Sequence, residues 1–331
     1  MSSTKTLLYI RNLSSRCFMK QFLTSSALFL GIALLASPEA EAQQFSKRKQ
    51  YNSVGFSLNA MNYFGDLVPE ANFASFRAGA TRPNVSVSIT RRFYPRISGR
   101  LALGYGRISG DDNKAANQND PDARFRYHRN MNFRNDLLEA SGVVLVDLIE
   151  NRNNYLKRPD FVPYVFAGLA GFYHNPKGEV RAEGITNAPV NTFIALQPLG
   201  TEGQKAAGGK GAYSKYQVAI PFGGGVRYRI NRNFDAGLEI GWRKTFTDYL
   251  DDVSDEYVDF SDQGALAPGA ARYFGGGITR TDDGNFPGFN DPGAKRGSKG
   301  DDGKSRTDWY IQTGLSLNYI LTPRIKNPKF R

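Results

Sequence analysis

The sequence predicts an all-β fold: a transmembrane antiparallel up-and-down β-barrel of eight strands, with long outer loops and short periplasmic turns. Three observations carry this prediction: recurring segments in which apolar residues alternate with period two, connections that alternate short and long, and an N-terminal segment built like an export signal. Successive side chains of a strand point to opposite faces, so a wall between lipid and a polar lumen reads as alternation.

Arg11, Arg16 and Lys20 precede an apolar run from Ala27 to Ala36, which is too short for the roughly 20 residues of a spanning helix. Ser37, Pro38 and then Ala40-Glu41-Ala42 follow. This is the small-x-small pattern of a signal-peptidase site, so cleavage is expected after Ala42. The expected organisation is a signal peptide over 1–42 and a barrel domain over 43–331. Met19-Lys20 heads an equally complete signal, which leaves Met1 or Met19 as the start. Cys17 is the one cysteine and precedes the apolar run, so it is not a lipidated first residue, and the mature chain lacks disulfides and thiolate ligands. Beyond the signal no continuous apolar segment could span as a helix, and a membrane role falls to strands.

After a polar lead, Gln43 to Gln50, the first alternation places Val54, Phe56 and Leu58 on one face. Val85, Val87 and Ile89 form the second, and Leu101, Leu103 and Tyr105 the third. Longer segments follow at Phe133 to Ile149, Val162 to His174, Tyr216 to Ile230 and Phe234 to Leu250. The last alternation sets Ile311, Thr313, Leu315, Leu317 and Tyr319 against Gln312, Gly314, Ser316 and Asn318. Short connections fall at Tyr94-Pro95-Arg96, Asn151 to Asp160 and Asn231-Arg232-Asn233. Long ones run through Asp66 to Arg82, Gly110 to Asn132, Asn175 to Ala212 and Asp251 to Asp308. An even strand count with this alternation is the pattern of outer-membrane barrels. Val190 to Leu196, inside the third long loop, extends a hairpin above the membrane or adds strands.

A water-soluble β-sandwich or lipocalin-like barrel also alternates. Against it, one parity collects Arg100, Glu139, Asp147, Arg227, Glu239 and Arg243 while the other is aromatic and aliphatic. In an eight-stranded barrel side chains just fill the interior, so these charges are expected to pair across the lumen and leave no aqueous channel. The net charge is +12, with 35 Gly, 17 Tyr and 23 Phe. For an exported chain a basic surface points to lipopolysaccharide phosphates and outer-membrane lipid; nucleic acid is not an expected partner. The aromatic content suits interfacial girdles.

No motif for catalysis stands out, and no catalytic residue, cofactor or metal is assigned. The two histidines, His128 and His174, fall near strand-loop junctions on the outer side, where a lipid-modifying enzyme could place a base beside a serine. Surface polar residues at a barrel rim are the expected reading, since no Gly-x-Ser-x-Gly elbow occurs. Gly203 to Gly211 is Gly- and Lys-rich without the P-loop spacing and reads as a flexible loop. The acidic run Asp248 to Glu256 lacks the EF-hand glycine and spacing, so a solvated, locally hydrogen-bonded loop start is expected there and not a bound ion.

Several stretches carry a family resemblance: Asn62-Tyr63-Phe64-Gly65-Asp66-Leu67, Pro163-Tyr164-Val165-Phe166, Thr201-Glu202-Gly203-Gln204 and Asp248-Tyr249-Leu250-Asp251-Asp252-Val253-Ser254. Together they resemble the PorG family, the outer-membrane barrel component of the type IX secretion system, over roughly Tyr51 to Tyr319. The resemblance implies a non-enzymatic barrel in protein secretion and gliding motility. It would associate on the periplasmic side with a ring of PorK-like lipoprotein and PorN-like protein. The chain departs from the family in a Gly- and Asp-rich insertion, Gln263 to Lys304. From topology, the candidate periplasmic contacts are Lys47, Arg48 and Lys49 of the lead and Asn231, Arg232 and Asn233 of the short turn. The alternative is a free-standing small outer-membrane barrel of adhesin or small-molecule-uptake type.

Overall fold

The computed structural model describes residues 49–67, 79–115, 129–181, 188–206, 208–254, 256–258, 269–276, 296–297 and 307–322. Gln50–Arg331 forms one compact unit and Met1–Lys49 another. The expected signal peptide with its cleavage point, Lys47, Arg48 and His128 lie outside the described residues; Lys49 belongs to the first unit.

Among the described residues, eight long strands close an antiparallel barrel. They are β1 (Asn52–Phe64), β2 (Arg82–Arg92), β3 (Ile97–Asp111), β4 (Asn132–Asp147), β5 (Phe161–Tyr173), β8 (Tyr216–Arg229), β9 (Phe234–Thr245) and β10 (Trp309–Leu321). Two short strands, β6 (Pro176–Glu179) and β7 (Phe193–Ala195), pair with each other, and β6 adds to the outer end of β4. They form the hairpin expected around Val190 to Leu196, outside the ring. Closure comes from the β1–β10 ladder, which runs in unbroken register from Asn52↔Leu321 to Phe64↔Trp309. The eight-strand prediction holds, with one boundary moved: β9 ends at Thr245, and 246–250 turn into an outer loop. Among the described residues no helix is long and apolar enough to cross a membrane.

The alternation resolves into two surfaces. Outward positions such as Phe56, Val87, Leu101, Leu169, Val218 and Leu315 are exposed, Leu101 by 70 %. A continuous belt of exposed apolar side chains around a closed barrel would be unstable in water and is stable against lipid. Aromatic residues flank it: Phe93, Tyr94 and Tyr228 at the short turns, Tyr105, Tyr216 and Trp309 toward the long loops. The protein is therefore an integral barrel of the outer membrane. A soluble barrel would invert these faces.

Candidate functional site: a polar cap over a filled lumen

The inward parity brings together the charges that the sequence placed there. Arg100 on β3 makes a two-pronged ion pair with Glu239 on β9, at 2.7 and 3.0 Å, and the Tyr164 hydroxyl donates to the same carboxylate at 2.9 Å. Arg227 reaches Asp147 at 2.5 Å, and Arg92 reaches the other oxygen at 3.4 Å. Glu139 lies 3.7 Å from Arg243 and accepts from the Tyr310 hydroxyl at 2.5 Å. Pairing of this kind offsets the desolvation of each charge. Among the described residues, the cavities between the layers include two of about 30 and 40 Å³. Each has room for ordered water but not for a passing solute.

Above the charged layers sits an apolar plug of Met61, Tyr63, Leu67, Ile108, Phe133, Leu137, Phe172, Leu250, Val253 and Tyr310. Over it the family-like stretches meet. The Tyr63 hydroxyl lies 2.7 Å from Asp251 Oδ2 and 2.9 Å from Asp308 Oδ1, so one proton bridges two carboxylates. The Leu67 amide donates to Asp251, and the Leu250 amide to Asp308. Gly65 is required for close approach, because a Cβ there would overlap Tyr63 and Asp308. Asn62 accepts from the Thr81 hydroxyl at 2.8 Å.

Thr201 donates to Asp252 at 2.5 Å, and Glu202 accepts from the Ser254 amide at 2.9 Å. The Glu202 amide donates to Gln204 Oε1, while Gly203 turns the chain at a φ of 71°, open mainly to glycine. The Ser254 hydroxyl donates to Asp248, and Val253 donates its amide to Asp251. Tyr249 stacks on Tyr213, ring centroids 4.5 Å apart, and Tyr213 donates to Asp252 at 2.6 Å. Asp252 itself is left-handed, with a φ of 69°, a region Asp tolerates better than most residues.

Two arginines outside the family-like stretches hold this cap together. Arg296 donates to Glu202 at 3.0 Å, to the Asp252 carbonyl at 2.6 Å and to the Phe274 carbonyl at 2.8 Å. Arg129 pairs with Asp112 at 2.7 Å and donates to the Asp66 and Arg296 carbonyls. Both are fully buried. Burial alone would lower the pKa of Arg296, but the carboxylates of Glu202 and Asp252 reverse this and hold it above its ordinary value. Burial pushes the Asp252 carboxyl up to about 6, against the pull of Arg296 and the two hydroxyl donors.

Several expectations are corrected here. Asp248, Asp251 and Asp252 are buried instead of solvated, because hydroxyls, amides and Arg296 replace their water. Among the described residues no cluster of His, Cys, Asp or Glu is placed to hold a metal ion. Thr201 to Gln204 are likewise packed, so the start of the presumed flexible loop is part of the cap. His174 is fully buried, not a surface rim residue. It stacks on Tyr213 at 6.0 Å with its Nε2 3.1 Å from the Ser214 carbonyl, and burial lowers its pKa to about 4.

The insertion from Gln263 to Lys304, which sequence left without a role, supplies Arg296 and the short helix Ala270–Gly276 whose Phe274 carbonyl it grips. Arg129, Arg296, Tyr213 and Asp308 carried no local signal, since single residues in polar loops match no motif.

At the opposite end Asn231, Arg232 and Asn233 form the exposed β8–β9 turn, as expected. The Asn231 side chain accepts from the Asn233 and Phe234 amides, and buried Arg158 binds the Asn231 and Arg232 carbonyls and Asp235. The turn is held from within, leaving the Arg232 side chain outward.

Among solved structures, the chain is similar to the N-terminal β-barrel domain of Pseudomonas aeruginosa OprF, at 12 % identity over 82 % of this chain and 99 % of that one, with a TM-score of 0.30. It is also similar to Ail, the attachment invasion locus protein of Yersinia pestis (5 %, 82 % and 97 %, 0.32), and to the outer membrane protein OprG from Pseudomonas aeruginosa (7 %, 85 % and 99 %, 0.35). No family and no curated protein matches the chain. At these scores the likenesses carry no functional argument, and the barrel assignment stands on the closed ladder and the apolar belt.

Proposed function

We propose that this barrel is a non-enzymatic outer-membrane component of the type IX protein secretion machinery, anchoring or assembling a periplasmic ring of PorK-like lipoprotein and PorN-like protein. The observation that carries the reading is the convergence of three family-like stretches, 62–67, 201–204 and 248–254, in one buried cap over a filled lumen. Residues locked in such a cap serve architecture. A filled lumen offers no path for a solute, so the working surfaces that remain are the rims and the belt. On the inner rim Arg96, Lys157 and Arg232 are exposed, Arg152 pairs with Glu150 at 2.7 Å, and Asp160 is the exposed carboxylate of the same turns. A basic face of this kind suits an acidic periplasmic partner.

The test is a mild-detergent pull-down of the tagged chain from native outer membranes, with mass spectrometry of what stays bound. Recovery of a lipoprotein together with a periplasmic ring protein is expected, and so is loss of cargo export on deletion of the gene. Recovery of the barrel alone, with export intact, would replace this reading by a free-standing adhesin or uptake barrel.

A further inference from the structure

The β2–β3 ladder ends at Asn84↔Gly106, whereas β3 and β4 stay paired out to Asp111↔Asn132. The outer edge of β3 is thus released from β2 while still held by β4. A cavity of about 590 Å³ opens at this edge, lined by Arg82, Arg107, Lys114, Arg134 and Arg181, with Asp111 and Glu179 as its carboxylates. Five cations face two anions. It is far larger than either lumen cavity and is separated from them by the apolar plug.

Four of the cations already have protein acceptors. Arg107 pairs with Asp136 at 2.5 Å, and Arg181 with Asp111 at 2.7 Å and Glu179 at 3.1 Å. Lys114 lies 3.6 Å from Asp111, and Arg82 donates to the Gly79 and Thr81 carbonyls. Arg134 differs: among the described residues it makes no ion pair, and its Nε is buried without a hydrogen-bond partner. Its guanidinium lies 3.9 Å from the centroid of the Phe193 ring. Stacking fixes the plane of a guanidinium while leaving its edge N–H groups to bind, and the fork geometry of that edge matches two oxygens of a phosphate.

The height of the cavity identifies the phosphate. Tyr105 and Leu138 are register partners at the outer limit of the lipid-facing belt, and the Arg107↔Asp136 and Ser109↔Arg134 pairs follow outward. At about 3.3 Å per residue and a tilt of about 40°, Arg107 stands roughly 5 Å and Arg134 roughly 10 Å above the belt. The cavity thus begins within the headgroup layer, about 5–8 Å deep on each face, and reaches just above it, where the sugars and phosphates of a glycolipid headgroup extend.

We propose that this cavity binds the phosphate of an outer-leaflet glycolipid headgroup, with Arg134, stacked on Phe193, as its principal ligand and Arg107, Lys114 and Arg181 around it. The lipid's acyl chains would lie against Leu101, Leu103 and Leu138 directly below.

The experiment uses the full chain in mild detergent and native mass spectrometry, with diphosphoryl lipid A, its dephosphorylated form and inorganic phosphate as probes. One diphosphoryl lipid A per barrel should be retained, and the dephosphorylated form should be lost. Arg134→Gln should weaken retention roughly fivefold, as expected for one interfacial cation, with heat-modifiable gel mobility unchanged. Arg91→Gln, exposed at the opposite end of β2, should have no effect. Should Arg134→Gln fail to fold, Phe193→Leu, which removes only the stacking face above the membrane, should give the same loss. Equal retention of dephosphorylated lipid would assign the binding to acyl chains and overturn the proposal. So would unchanged retention by Arg134→Gln or Phe193→Leu. Displacement of lipid A by micromolar inorganic phosphate would overturn the lipid assignment in favour of a free anion.

Discussion

In the barrel wall, Arg100 and Glu239 meet as side chains standing on rigid strands, each held in register by both neighbours. In the cap, Arg296 pairs with the Glu202 carboxylate at 3.0 Å and with that of Asp252 at 4.0 Å, and it also binds the carbonyls of Asp252 and Phe274, drawing three loop segments onto a single guanidinium. The wall would keep its backbone if its charges were exchanged, because the ladder is hydrogen-bonded without them. The cap has little ladder of its own, and its side chains are its architecture. Buried charge therefore fills space in one region and determines the chain path in the other.

The largest effect that would break or sharpen this contrast is expected from Arg296→Met. It leaves Glu202 buried without its cation, a change that costs about 3–5 kcal/mol. Hydrogen exchange of the 248–254 amides should accelerate strongly while the barrel keeps its folded gel mobility. Loss of both together would mean that cap and wall are one cooperative unit.

A smaller loss, about 2–4 kcal/mol in reversible unfolding from lipid, is expected for Leu101→Arg, at the middle of the outward face of β3. Cap exchange should not change in that variant. A neutral result would remove the lipid-facing assignment of this face.

The smallest effect is a titration. His174 should stay neutral to about pH 4 in the folded protein, its ring resonances moving only near there. The unfolded chain takes that proton near pH 6.5. The His174 contribution to stability is therefore present above pH 6.5 and is lost as pH falls toward 4. Asp252, raised to about 6, has the opposite sign: the folded state holds the extra proton, and stability is lost as pH rises from about 4 to 6. A His174 midpoint near 6.5 would show a hydrated cap.

Period-two alternation is local, so it was legible without any partner: the lipid-facing residues of β3 and β10 and the inward parity of Arg100, Glu139, Asp147, Arg227, Glu239 and Arg243 could be read directly. Strand number followed from the count of alternating segments, and the succession of short turns and long loops from connection lengths. Register was not legible, and it alone decides that Arg100 meets Glu239, 139 residues away. The cap was least legible of all. The acidic run at 248–254 looks like a hydrated loop until Tyr63, Thr201, Tyr213 and Arg296 are brought to it, and Arg296 stands 94 residues from Glu202 in a stretch without periodicity. A strand announces its environment through its own repeat. A buried polar network is defined by partners that only the closed barrel brings together.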